Sequence, residues 1–144
     1  MVLLIMGILA AVVVPNAMGT SDLHAVAAAR MVATDLQYAQ DTAITTQTPI
    51  TVTFEPTLER YRLSNASGTL IHPITRQAYI VSFPSLRGFG EVDVVSASFN
   101  GAASVTFDEI GTPDAGGTVV LRAGPRVYTL TVAAVTGTVT VTSS

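Results

Sequence analysis

Cysteine is absent from the chain, which excludes disulfides, thiol chemistry and any cysteine-based metal site, though it does not identify a compartment. Lysine is absent too. All seven basic residues are arginine, against ten acidic ones, and a net charge of -3 gives no general attraction to nucleic acid. No basic residue precedes Arg30, so the basic region that opens a secretory signal peptide is missing. At 144 residues there is room for one domain and an N-terminal helix, not for two domains of ordinary size.

Signatures of chemistry are missing as well. The two histidines, His24 and His72, fall on different elements, whereas a metal site needs converging ligands. Both read as surface imidazoles. Asp108, Glu109 and Asp114 offer oxygens to calcium, but their spacing fits no calcium loop and reads as a solvated turn. No Gly-x-Ser-x-Gly elbow occurs. Gly88-Phe89-Gly90 is followed by neither Lys-Ser/Thr nor a predicted helix, so it is not a phosphate loop. No catalytic, cofactor or metal residue is assigned, and a small-molecule substrate is not expected.

What the chain does have is an uncharged aliphatic run, Met1 to Val14. As a helix it spans roughly 21 Å, short of the ~30 Å hydrocarbon core of a bilayer. It is therefore a buried helix or part of a longer membrane helix. The second is favoured, because a helical pattern follows directly and leaves no loop by which to fold back. Pro15 kinks the helix without ending it, and Thr20 or Ser21 caps its restart, with Asp22 in the first turn. From Asp22 to about Thr45, the residues Ala25, Ala29, Val32, Leu36, Ala39 and Ala43 recur at three- and four-residue steps and line one face. Arg30, Asp35, Gln37 and Asp41 sit mostly away from it.

After Pro49 the period becomes two. Ile50-Val52-Phe54 and Tyr61-Leu63 alternate with polar residues, as strands do. Further strands are predicted over Ala78–Phe83, Val92–Ala97, Ser104–Phe107, Thr118–Leu121, Val127–Val132 and Thr138–Val141, with Ile71–Ile74 edge-like around Pro73. Asn100-Gly101 signals a tight turn. The last three strands are closely spaced and predict an antiparallel meander. No strand–helix–strand repeat appears, so a doubly wound sheet is not expected. The expected class is α+β: a long helix, hydrophobic then amphipathic, packed on an antiparallel β-domain of about seven or eight short strands. Residues 1–20 form the hydrophobic segment, 21–47 the amphipathic helix and 48–144 the β-rich domain.

Gly7-Ile8-Leu9-Ala10-Ala11-Val12-Val13-Val14-Pro15 resembles the second half of a type IV prepilin N-terminal segment. The layout of one long helix followed by short strands, with Val105-Thr106-Phe107, Gly111-Thr112-Pro113 and Gly117-Thr118-Val119-Val120-Leu121, resembles the GspH/FimT-type minor pseudopilins. The resemblance implies a structural subunit of a type II secretion or type IV pilus filament, spanning the inner membrane once, with its β-domain in the periplasm. It implies that the prepilin leader, its processing glycine, the methylation motif and a glutamate lie before Met1. It implies partners: other pilins or pseudopilins packed through the N-terminal helix at Gly7, Ala10, Ala11 and Pro15, lipid before assembly, and a secreted cargo protein or DNA. Some members bind DNA through basic residues near the C-terminal end, where Arg122 and Arg126 flank Gly124-Pro125; as ordinary turn arginines they need no such role. The competing expectation is an exported, soluble β-domain binding module, cleaved at Ala17-Met18-Gly19. The genomic sequence just upstream of Met1 is expected to encode, in frame, a short basic leader, Gly, an aromatic or Met, and a Glu a few residues later. Sequencing that stretch checks this, and an in-frame stop codon immediately before Met1 defeats it.

Overall fold

The structure, a computed structural model, describes residues 20–143. The helix α1 (Thr20–Thr46) buries Ala25, Ala28, Ala29, Val32, Leu36, Ala39 and Ala43 along one face. These are the stripe residues expected from the sequence, with Ala28 added. The helix ends where Gln47 turns left-handed (φ 54°) and Pro49 withholds an N–H.

Among the described residues nine strands follow, in two antiparallel sheets. The first contains β1 (Ile50–Glu55), β2 (Arg60–Asn65), β3 (Gly68–Thr69), β4 (Ile80–Ser82) and β6 (Ser104–Phe107). β1 lies between β2 and β6, and β3 and β4 share the outer edge of β2. The register pairs Phe54 with Tyr61 and Val52 with Leu63, so the alternating apolar residues share the buried face. The second sheet has the order β5 (Val92–Ser98), β7 (Gly117–Ala123), β8 (Arg126–Val132), β9 (Val139–Ser143), and its last three strands are the predicted meander. α1 packs against β7, β8 and β9 of the second sheet and β1 of the first. Helix and sheets bury a single continuous core.

Three local expectations change. The segment predicted as a strand over Ala78–Phe83 keeps only Ile80–Ser82 as β4, because Phe83 opens a 3₁₀ turn with Pro84 (Phe83–Ser85). Ile71–Ile74 reduces to one bridge, Ile71 to Ala78, beside Pro73. Asp35 does not face away from the core; it is the buried charged residue of the helix.

Asn100-Gly101 does form its tight turn. Both residues have positive φ (55° and 89°), as a type I′ turn requires, and the turn closes the Phe99–Ala102 bridge. It does not join neighbouring strands, however: β5 belongs to the second sheet and β6 to the first. Near this crossing, Gly117 lies so close to the neighbouring chain that an added Cβ would sit 2.1 Å from the Ser98 carbonyl oxygen and 2.6 Å from the Phe99 ring. Gly117→Ala is therefore expected to destabilise the domain by about 3 kcal/mol, the upper part of the overpacking range. A urea titration reads this as a lowered midpoint; an unchanged midpoint would contradict the tight crossing.

Candidate functional site

The polar centre of the domain is Asp35. It stands three residues after Val32 and four before Ala39, so the helix period places it at the edge of the buried stripe. There its carboxylate accepts the Tyr61 hydroxyl at 2.5 Å and the Tyr79 hydroxyl at 2.6 Å. Tyr61 comes from β2, and Tyr79 immediately precedes β4. One carboxylate thus ties α1 to two segments of the first sheet. The Tyr79 ring stacks on Tyr38 (centroids 5.4 Å apart) and meets His72 at 4.5 Å. Burial, and then the neighbouring Asp35 charge, push the Tyr61 phenol well above its ordinary range. Burial and the Asp35 hydrogen bond do the same to Tyr79.

A second clamp lies one and a half turns further along α1. The Gln40 amide donates to the carbonyls of Gly111 and Thr136, each at 2.8 Å. It draws the loop after β6 and the loop after β8 to one nitrogen. Gly111 and Gly137 both have positive φ, and a Cβ on either would press into Ile44 or Gln40.

The histidines are not simple surface imidazoles. His24 is half-buried against Gly88 and Phe89, and its Nδ1 is buried without a hydrogen-bond partner. His72 accepts the Ile74 and Thr75 backbone N–H groups at Nδ1. The carboxylates considered for calcium shape the loop instead. Asp108 Oδ1 accepts the N–H groups of Ile110 and Thr112, and Asp114 Oδ1 accepts that of Thr106. Among the described residues no group of three or more His, Asp or Glu is placed to hold a metal.

Arg122 and Arg126 flank the two-residue β7–β8 turn, as expected, but the register separates them. Arg122 pairs with Val127 and Arg126 with Ala123, so the two arginines sit on opposite faces of the sheet. Arg122 also lies 3.4 Å from Asp93 across an exposed ion pair. Gly7, Ala10, Ala11 and Pro15 lie outside the described residues.

A model of the family described as type II transport protein GspH matches residues 28–137, from α1 to the β8–β9 loop. The chain belongs to the GspH family. Its fold is that of the minor pseudopilin EpsH from the type 2 secretion system of Vibrio cholerae, with a TM-score of 0.64, 12% identity, and coverage of 83% of this chain and 96% of that one. It also matches the type IV minor pilin FimU of Pseudomonas aeruginosa, with a TM-score of 0.57, 16% identity, and coverage of 87% and 91%. No curated protein matches. GspH-family membership gives the chain a pilin-like, structural role rather than an enzymatic one. Among the described residues, no helix is long and apolar enough to cross a membrane.

The Asp35 cluster makes an alkaline prediction. Both phenols keep their protons to higher pH in the folded chain than in the unfolded one, where tyrosine titrates near about 10. Below that pH both states are protonated and the contribution is whole. Above it the unfolded chain releases protons that the folded chain retains, so stability falls as pH rises. With no lysine or cysteine, few other side chains titrate in that window. Tyr61→Phe and Tyr79→Phe should each cost about 1.5–3 kcal/mol at neutral pH and flatten the alkaline decline. Urea midpoints measured against pH test both; an equally steep decline in the double variant would count against the cluster.

Proposed function

We propose that this chain is a minor pseudopilin, a structural subunit of a short filament in a type II secretion or type IV pilus machine. It is held in the inner membrane by its N-terminal helix, with the β-domain on the periplasmic side. The observation that carries this is the contrast between the packed helix and the aliphatic run that precedes it in the sequence. From Ala25 to Ala43 the helix spends its apolar face on its own two sheets. The aliphatic residues of Met1–Val14 therefore need another cover. Left in water they would cost roughly 25 cal/mol for each Å² exposed. A bilayer covers them before assembly, and the helices of neighbouring subunits cover them afterwards.

Gly7, Ala10 and Ala11 are small enough for those helices to approach closely, and Pro15 supplies a bend. The β-domain then determines which subunits or cargo are met. GspH-family membership and the shared fold support this reading, and the choice between the two machines rests on genes outside this chain. Replacing Ala10 and Ala11 together with Leu in the full chain is expected to reduce co-purification with partner pilin-like proteins, and secretion or pilus function, while the β-domain stays folded. If that pair and deletion of residues 2–14 both leave assembly and function intact, the filament role is wrong.

A further inference from the structure

Asp35 is only 8% exposed, yet it makes no ion pair with any described cation. Buried carboxylates are ordinarily paired with a cation or fully hydrogen-bonded. Two tyrosine hydroxyls occupy two of its roughly four lone-pair sites. Asp35 is also one of the residues that line a cavity of about 320 Å³ between α1 and the chain running from β3 to β4. Met31, Val81 and Leu86 give that cavity half-buried apolar walls, and Ala78 and Ile80 stand exposed along it. His72 also lines it, with Nδ1 already accepting backbone N–H bonds, which leaves the ring proton on Nε2.

These features select the ligand. An anion is repelled by Asp35. An apolar guest leaves the carboxylate dry and unpaired. A divalent metal finds one carboxylate and no cluster of further ligands. A cation on an aliphatic stem fits both parts, its methylenes against the apolar walls and its head on the carboxylate. Outside the cavity, the same segment exposes Ile71 and Ile74, which are 61% and 84% exposed. Apolar side chains displayed beside a buried charge suit a protein surface rather than a free amine.

We propose that the Asp35 cavity is a socket for a basic side chain, arginine or lysine, presented by a neighbouring subunit. That the donor is a neighbouring subunit rests on the filament role above; the socket itself does not. The cation completes the pairing of Asp35, and Ile71 and Ile74 pack around the inserted residue. The interaction joins subunits through their β-domains, separately from their N-terminal helices.

The test uses the full chain in detergent, with methyl groups of methionine and isoleucine labelled for NMR. The blocked tripeptide acetyl-Gly-Arg-Gly-amide should shift the Met31 and Ile80 signals saturably, and its citrulline analogue, uncharged but of the same shape, should bind about ten-fold more weakly. Asp35→Asn should abolish the difference between the two peptides. Should that variant unfold, Ala78→Trp carries the test, because Ala78 is exposed and a large side chain there narrows the mouth without removing the tyrosine bonds. It should block the arginine peptide. Equal shifts from both peptides, or shifts that survive Ala78→Trp, would overturn the socket. Shifts from putrescine but not from the arginine peptide would mean a free-amine site and overturn it equally. None of these measurements needs a filament, so their failure is distinct from failure of the filament role.

Discussion

The close approach of α1 to both sheets is the constraint on which the domain depends. Five of the seven apolar residues on its buried face are alanine, and only Val32 and Leu36 reach further. A helix faced with leucine would hold a sheet farther off. With alanine the backbones come close, and short polar groups become useful. Asp35 has one methylene, yet it reaches tyrosines from two segments of the first sheet. Gln40 reaches the carbonyls of two separate loops, one after β6 and one after β8. Gly111 and Gly137 complete the fit, because a side chain on either would collide with Ile44 or Gln40.

This economy explains how a fold persists when residues do not. The minor pseudopilin and the minor pilin with the same fold share only 12% and 16% identity with this chain. Small residues at helical spacing, followed by short alternating strands, satisfy the same packing with many different sequences.

The helix, the alternating strands and the closing meander were legible because each is a repeating pattern, and repetition averages out local exceptions. The charge of Asp35 argues against the apolar stripe, although its spacing from Val32 and Ala39 puts it on that face. The signal available was that spacing, together with Tyr61 on a buried strand position. Nothing in one sequence reports that Tyr79 reaches the same carboxylate, since that needs the path from β3 to β4. The arginines at the β7–β8 turn look adjacent as letters, but their register sends them to opposite faces. The Asn100-Gly101 turn is legible as a dipeptide, because both residues tolerate positive φ. That it leads from one sheet to the other is a long-range fact, set by which partners β5 and β6 find.

That crossing governs the order in which the domain can be made. β5 finds its partner in β7, and β6 finds its partner in β1, fifty or so residues back. While the chain emerges from a ribosome or a translocation channel, the first sheet lacks one edge until Phe107 is out. Once β5 has emerged, it has no neighbour until the chain has passed Ala123. The β1–β2 hairpin is the one substantial pairing available early, and an isolated hairpin is marginal in water. Much of the cover of α1 arrives late, when β7 and β8 close over it. Long-range pairing of this sort is slow compared with local pairing. Until then the alanine face of α1 and the inner residues of the first sheet lack their cover.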